Sequence, residues 1–530
     1  MSVITNNLLL GEDGYNISRS VRLRSSATAY FNRTSGTPTN KDVWTYSGWI
    51  KYSTGKYFPF LYALSGGFYE YFEIDNTGAF FWITRNSAGS VFKQYYTASG
   101  QRLFRDPSAW YHIVVRKTAA LTLQFYVNGE EFTLTPQTVG SPSSSLNTAS
   151  TSHTLGFEGF SSVYADGYMT ETNFIDGQAL TPSSFGETDA VTGVWKPKKY
   201  AGTYGTNGFY LNFSDPSAAT AAAIGKDYSG NGNNWTPNNI SVTSGVTYDS
   251  MLDVPTLGPL SSNHCVMNPL ASLSGRTSFS AGNLQVLGTS SGESGVDYGT
   301  IGVTSGKWYW ESTVLAVSSA SSYPNIGAVR VLYGPSNGKY AGDSFTGGAG
   351  IFTGGGVYKE GSLVTTVSTY TTNDVIGIAL DVDNLTCAFY KNGTLLTTVT
   401  GLTAGTYWAG VGSYYNSSTA INFGQRPFAY TPPTGFKALN TQNLPAGSIT
   451  TSGSFTGNTS SDGPFVYLNG VPTAMTINGN AVTFATHVDK TANGFKVRSS
   501  SSSYNASGSN TYSITTTGAK FKYANAQGNP

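Results

Sequence analysis

Two stretches of this chain are near-copies of each other and force the same local geometry. Leu123-Gln-Phe-Tyr-Val-Asn128-Gly129-Glu-Glu-Phe132 and Cys387-Ala-Phe-Tyr-Lys-Asn392-Gly393-Thr-Leu-Leu396 both alternate apolar with polar residues around a central Asn-Gly. Asn-Gly supplies the two positive φ angles of a type I′ turn, so each stretch predicts a β-hairpin with its register fixed. Phe465-Val-Tyr-Leu-Asn469-Gly470 is a third version, and Asn478-Gly479 follows it. Other runs alternate in the same way, including Val43–Lys51, Trp110–Lys117 and Leu121–Leu134, while helical periodicity is almost absent. The chain therefore reads as all-β, built of short strands and tight turns.

Composition narrows the class. Charged residues make up 11% of the chain, against about 25% in ordinary soluble proteins. Aromatics reach 14%, including 35 Tyr, and there are 63 Gly. Hydroxyls and amides must then keep the surface wet. A net charge of +1 offers no basic field for phosphate, so nucleic acid is not an expected partner. No run approaches about 18 apolar residues, and the start MSVITNNLLLGEDGYNIS lacks the basic and apolar regions of a signal peptide. Neither membrane insertion nor signal-directed export is expected.

At 530 residues the chain should hold about three domains of roughly 150 residues each. Composition places an irregular arm at 1–30 and a first sandwich at 31–225. An Asn/Gly/Ser-rich connecting segment follows at 226–274, a second sandwich at 275–440, and a linker with a small β domain at 441–530. Cys265 and Cys387 are the only cysteines and fall in different segments, so buried free thiols are expected.

Catalytic chemistry is sparse. The four histidines, His112, His153, His264 and His487, show no metal-ligand spacing, and His112 sits inside an alternating strand. No GxSxG, HExxH, P-loop or CxxC pattern occurs. Glu158, Asp166 and Glu171 are the nearest thing to a paired-carboxylate set. Yet Asp166-Gly167 reads as a turn, and Glu171 as an exposed strand position. Asp227-x-Ser229-x-Asn231-Gly232-Asn233 has the outline of a calcium loop, but Asn238 stands where its bidentate acid belongs, which favours a turn. No cofactor or metal is assigned.

Several motifs in order resemble known families. Ser47-Gly-Trp-Ile-Lys51, Ala109-Trp-Tyr-His-Ile-Val-Val115, Phe125-Tyr-Val-Asn-Gly129, Asp166-Gly-Tyr-Met-Thr-Glu171 and Ile175-Asp-Gly-Gln-Ala-Leu180 resemble a LamG-like, concanavalin A-like jelly roll. Ser305-Gly-Lys-Trp-Tyr-Trp-Glu311, Asp374 to Asp381, Cys387 to Gly393, and Ile421-Asn-Phe-Gly-Gln-Arg-Pro-Phe428 resemble a SPRY sandwich. The resemblance implies tandem antiparallel β-sandwiches. The tandem, with its Asn/Gly-rich joint and the tail Ala492-Asn-Gly-Phe-Lys-Val-Arg498, is similar to structural proteins of tailed phages, especially those of marine and cyanobacterial hosts.

That likeness implies a non-catalytic virion-surface protein. A tail fibre attaching to host-surface glycan is the first expectation, as a homotrimer joined to other virion proteins through the arm or first jelly roll. A capsid decoration or head fibre is the alternative, and a polysaccharide-degrading enzyme the third. Sugar rings stack on exposed aromatics while amides take their hydroxyls. The expected ligand contacts are therefore Tyr69 and Tyr71 in one patch and Tyr414, Tyr415 and Asn416 in another.

Overall fold

The computed structural model describes residues 15–53, 55–97, 104, 106–119, 122–138, 145–189, 193–272, 276–289, 295–318, 322–330 and 340–444. It also describes the backbone of seven strands between 448 and 517. Residues 16–186 and 197–443 form one compact unit, and the C-terminal strands belong to a second. The described elements are strands and short turns, as the sequence predicts, and none of the described helices is long and apolar enough to cross a membrane.

Both Asn-Gly hairpins form. Asn128 and Gly129 have φ of 50° and 83°, and Asn392 and Gly393 have 50° and 79°. Val127 pairs with Glu130 and Lys391 with Thr394, so each turn has two residues. The asparagine also ties its hairpin to the next strand. Asn128 Oδ1 accepts from His112 N at 2.8 Å, and Asn392 Oδ1 accepts from Val375 N at 2.9 Å. Asn469-Gly470, Asn478-Gly479 and His487 lie outside the described residues.

The jelly roll packs two sheets face to face. The first runs Glu130–Phe132, Thr122–Val127, Trp110–Ala119, Trp44–Tyr52, Gly167–Asp176, Ser20–Leu23, Ser250–Met251, with Phe209–Leu211 beside Gly167–Asp176. The second runs Leu134–Thr138, Val91–Thr97, Phe80–Asn86, Phe68–Ile74, Phe58–Ser65, Ser152–Leu155, Tyr30–Thr34, Thr236–Asn238. Alternation along each strand sends one set of side chains inward. Trp44, Phe60, Phe72, Phe80, Trp82 and Phe125 make the core, with the rings of Phe80 and Phe125 stacked 3.8 Å apart. Each such fully buried side chain contributes about 1.5–3 kcal/mol.

The expected arm and connecting segment are partly sheet. Ser20–Leu23 is a fully buried strand, because Val21 and Leu23 alternate into the core. Thr236–Asn238 extends the second sheet and Ser250–Met251 the first. Trp235, immediately before the first of these strands, is 1% exposed in the jelly-roll core.

The second sandwich has a sheet ordered Thr277–Ser280, Gln285–Gly288, Ser418–Asn422, Lys307–Ala316, Val375–Asp381, Thr386–Lys391, Thr394–Val399. Its facing sheet runs Gly295–Val303, Tyr407–Ser413, Asn325–Val329, Ala349–Ile351, Gly356–Lys359, Ser362–Thr366. In the C-terminal unit, Ser448–Gly457, Gly508–Thr517, Val471–Ile477 and Asn480–Ala481 pair in that order. Phe465–Tyr467, Gly494–Val497 and Val488–Thr491 form a three-stranded sheet.

A buried polar joint holds the two sandwiches together. The Asp166 carboxylate accepts from Ser25 Oγ at 2.9 Å, Ala281 N at 3.1 Å and Gly282 N at 2.7 Å. Tyr168 donates to Gly282 O at 2.9 Å, and Leu252 N to Gln425 O at 2.7 Å. Arg22 and Arg24 both bond Asp249, at 3.1 and 2.8 Å. Arg22 also donates to the carbonyls of Val246, Tyr248 and Ala281. Burial without pairing would be costly, and these ions are paired and hydrogen-bonded. Cys265 and Cys387 are free and buried.

Candidate functional site

The joint covers part of the outer face of the first jelly-roll sheet, where Lys51, Trp110 and Tyr168 meet residues 253–282. The outer face of the second sheet is built differently. Along Phe68–Ile74, Phe72 and Ile74 point into the core, so Tyr69, Tyr71 and Glu73 point out. Register sets Tyr69 opposite Arg85, Tyr71 opposite Ile83 and Glu73 opposite Phe81. On the other side Tyr62 stands opposite Tyr71. Tyr62, Tyr71 and Ile83 form a separate apolar cluster on this face, with Tyr69, Phe81 and Val91 packed against it.

A small hairpin, Phe157–Glu158 paired with Val163–Tyr164, packs against this face. Gly159 lets it approach, since a Cβ there would lie 2.7 Å from the Tyr62 hydroxyl. The hairpin places Phe160 edge-on to Tyr69, ring centroids 5.2 Å apart. The Arg85 guanidinium lies 4.4 Å from the Phe160 centroid and 5.4 Å from that of Tyr71. Cation–π attraction fixes the cation there.

Two acids share the site. The Glu158 carboxylate accepts from the backbone amides of Phe160 and, at 2.9 Å, Ser161. Glu73 is 8% exposed, and its Oε2 has no hydrogen-bond partner among the described residues. Burial, and then the charges of Glu158 and Asp75, push the Glu73 carboxyl up to about 8. Burial also raises Glu158. At neutral pH Glu73 is therefore mostly a protonated hydrogen-bond donor beside an arginine and several aromatic faces.

The sequence candidates separate. Tyr69 and Tyr71 do share this face, with Tyr69 half-buried. Tyr71, expected to be exposed, is only 2% exposed, because Arg85 and the neighbouring tyrosines cover it. Tyr414, Tyr415 and Asn416 lie on the second sandwich, in a turn closed by Ser417 N donating to Tyr414 O at 2.8 Å. Tyr415 is 43% exposed at its tip. Tyr414 stacks 5.7 Å from Tyr323, which begins a chain of rings through Phe352 to Tyr340 and Tyr358.

The suspected carboxylate set also divides. Glu158 faces the ring cluster, whereas Asp166 holds the joint. Glu171, expected on the surface, is 6% exposed at a bulge and accepts from the Tyr210 hydroxyl at 2.8 Å. Glu73 and Arg85 were not singled out by the sequence. Their alternation with Tyr71 and Ile83 was the available signal. Asp227 accepts from Tyr210 N, Ser229 N and Oγ, and Asn233 N, so donors converge on it, as in a turn. Among the described residues no group of three His, Cys, Asp or Glu could hold a metal. His112 stacks on Trp49 at 5.0 Å and bonds Ser47 Oγ at 2.8 Å. His153 accepts from Asn147 N at 3.0 Å.

Comparison with known proteins agrees with the two sandwiches. Residues 25–184 match the concanavalin A-like lectin/glucanases superfamily, and residues 307–426 match the SPRY domain family. No curated protein matches the chain. Among solved structures, the SPRY domain of human HERC1 is 22% identical, with 26% of this chain and 87% of that one covered and a TM-score of 0.23. The TRIM65 PSpry domain is 13% identical over 30% and 92%, with a TM-score of 0.25. Stonustoxin is 18% identical over 30% and 27%, with a TM-score of 0.23. The chain thus carries a LamG-like, concanavalin A-like domain followed by a SPRY domain.

Proposed function

We propose that this chain is a non-catalytic binding protein on the surface of a tailed-phage virion, a tail fibre whose jelly roll engages host-surface polysaccharide. The observation that carries the binding reading is the outer face of the second sheet. There Tyr69, Phe160 and Arg85 offer an aromatic edge and a cation beside the protonated Glu73. Sugars are recognised by that combination of apolar ring faces and hydrogen-bonding groups. The virion assignment is supported by the tandem's likeness to phage structural proteins and by the low charge. Homotrimeric display would add avidity to weak single-site contacts, and other virion proteins would anchor the chain.

Glycan-array and host-adsorption measurements test this. Wild-type protein should bind, and Tyr69→Ala and Arg85→Ala should each weaken binding about tenfold, the loss of one stacking or charged contact. No binding in either assay, with the protein located on the capsid shell by electron microscopy, would replace attachment with a decoration role.

The pairing of Glu73 with Glu158 favours one second reading, polysaccharide hydrolysis by two carboxylates. It requires reducing-end release from host envelope that disappears in Glu73→Gln.

A further inference from the structure

We propose that Lys51 and Asn263 become joined side chain to side chain by an amide bond that locks the jelly roll to the segment entering the SPRY sandwich. Lys51 projects from Trp44–Tyr52 between Trp110 on one neighbouring strand and Tyr168 on the other, in register with both. Its side chain is 1% exposed, and its Nζ lies 5.9 Å from the Tyr168 ring centroid. Nζ sits 2.8 Å from Asn263 Oδ1, 2.8 Å from Asp253 Oδ2 and 2.8 Å from the His264 carbonyl. The second Asp253 oxygen accepts from Trp110 Nε1 at 3.0 Å and His264 N at 3.2 Å. Asn263 Nδ2 donates to Ser108 O at 2.8 Å, which holds the carboxamide in place.

A primary amine and a carboxylate, both buried, thus meet a neutral carboxamide that is half-buried. The fold keeps them together for the life of the protein. Such intramolecular placement corresponds to effective concentrations of about 10⁵–10⁸ M when the reacting atoms are well aligned.

The step balances without any co-reactant. Asp253 takes a proton from the Lys51 ammonium, and the freed Nζ lone pair attacks Cγ of Asn263. Asp253 then returns that proton to Nδ2 as the Cγ–Nδ2 bond breaks, and takes up the second Nζ proton as the new amide forms. The products are a secondary amide and ammonia, with the remaining ammonium proton left on Asp253 and nothing oxidised or reduced. The carboxamide is the electrophile because the anionic Asp253 carboxylate repels a nucleophile and serves as the proton carrier.

Tryptic digestion of the folded, full-length protein followed by mass spectrometry decides the matter. The expected product is a branched peptide joining residues 42–56, uncut after Lys51, to residues 227–276. Its mass should be one ammonia below the sum of the two linear peptides. Asn263→Ala, at a half-buried position, should restore cleavage after Lys51 and give linear peptides only. Linear peptides from the wild-type protein would overturn the proposal. A branched peptide one water lighter, with its branch on Asp253, would overturn the assignment to Asn263.

Discussion

Arg22 and Arg426 lie side by side in the joint, each donating to the carbonyl of Val246, at 2.9 and 3.4 Å. Both are almost fully buried, and burial together with the charge of Arg22 pushes Arg426 down to about 9. Asp249 bonds Arg22 and Arg24 directly, and its charge, after that of Glu311, acts on Arg426. Asp249→Ala would leave buried cations without their carboxylate, a change that costs about 3–5 kcal/mol. Urea unfolding of the protein should show that loss. A loss below about 1 kcal/mol would mean that the joint relaxes around the missing charge.

Glu73 gives a stability dependence of unusual sign for an acid. Its folded pKa of about 8 exceeds the 4.5 of an unperturbed glutamate, so the folded state holds a proton that the unfolded state has released. Its contribution is fully present below pH 4.5 and is lost as pH rises towards 8. Glu73→Gln should be more stable than wild type at pH 8.5, by on the order of 2 kcal/mol, and closely similar at pH 4. Melting temperatures across that range check the slope.

The histidines act in the opposite direction. Burial pushes His112 down to about 3, and His153 and His264 to about 4, from an ordinary value of 6.5. Between pH 6.5 and 4 the unfolded chain binds protons that the folded one refuses, so stability falls with acid. Measured in Glu73→Gln, which removes one opposing slope, the urea midpoint should drop across that window, less steeply below pH 6, where Asp297, raised by burial to about 6, takes up a proton in the folded state. A level midpoint would contradict the neutral, buried assignment.

The hairpin asparagines hold two loads at once, a positive φ and a bond to the third strand. Asn128→Ala and Asn392→Ala should each cost about 1–3 kcal/mol, from a strained turn and an unsatisfied amide. Asn→Gly at either position keeps the φ and should recover part of the loss. Equal losses for Ala and Gly would assign the whole effect to the hydrogen bond.

These hairpins were legible because their information is local, with Asn, Gly and the alternating rings adjacent in sequence. The joint was not. Lys51 reads as the polar member of an alternating strand, and its partner Asp253 is 202 residues away. Asp166-Gly167 reads as a turn for the same reason, since the amides it serves at 281 and 282 are unremarkable in sequence. In the candidate site, Tyr69 and Tyr71 could be picked out as aromatics. Only the sheet register and the 157–164 hairpin reveal that one stays half-open while the other is covered.

Trp235 carries a consequence for inheritance. It lies beyond the matched jelly-roll residues 25–184 and before the SPRY residues 307–426, yet it fills the jelly-roll core. Trp235→Ala should cost about 3–5 kcal/mol. Recombination just after residue 184 would strand this side chain, with the strands at 236–238 and 250–251, on the wrong side of the crossover. A viable exchange must carry residues 235–251 together with the jelly roll.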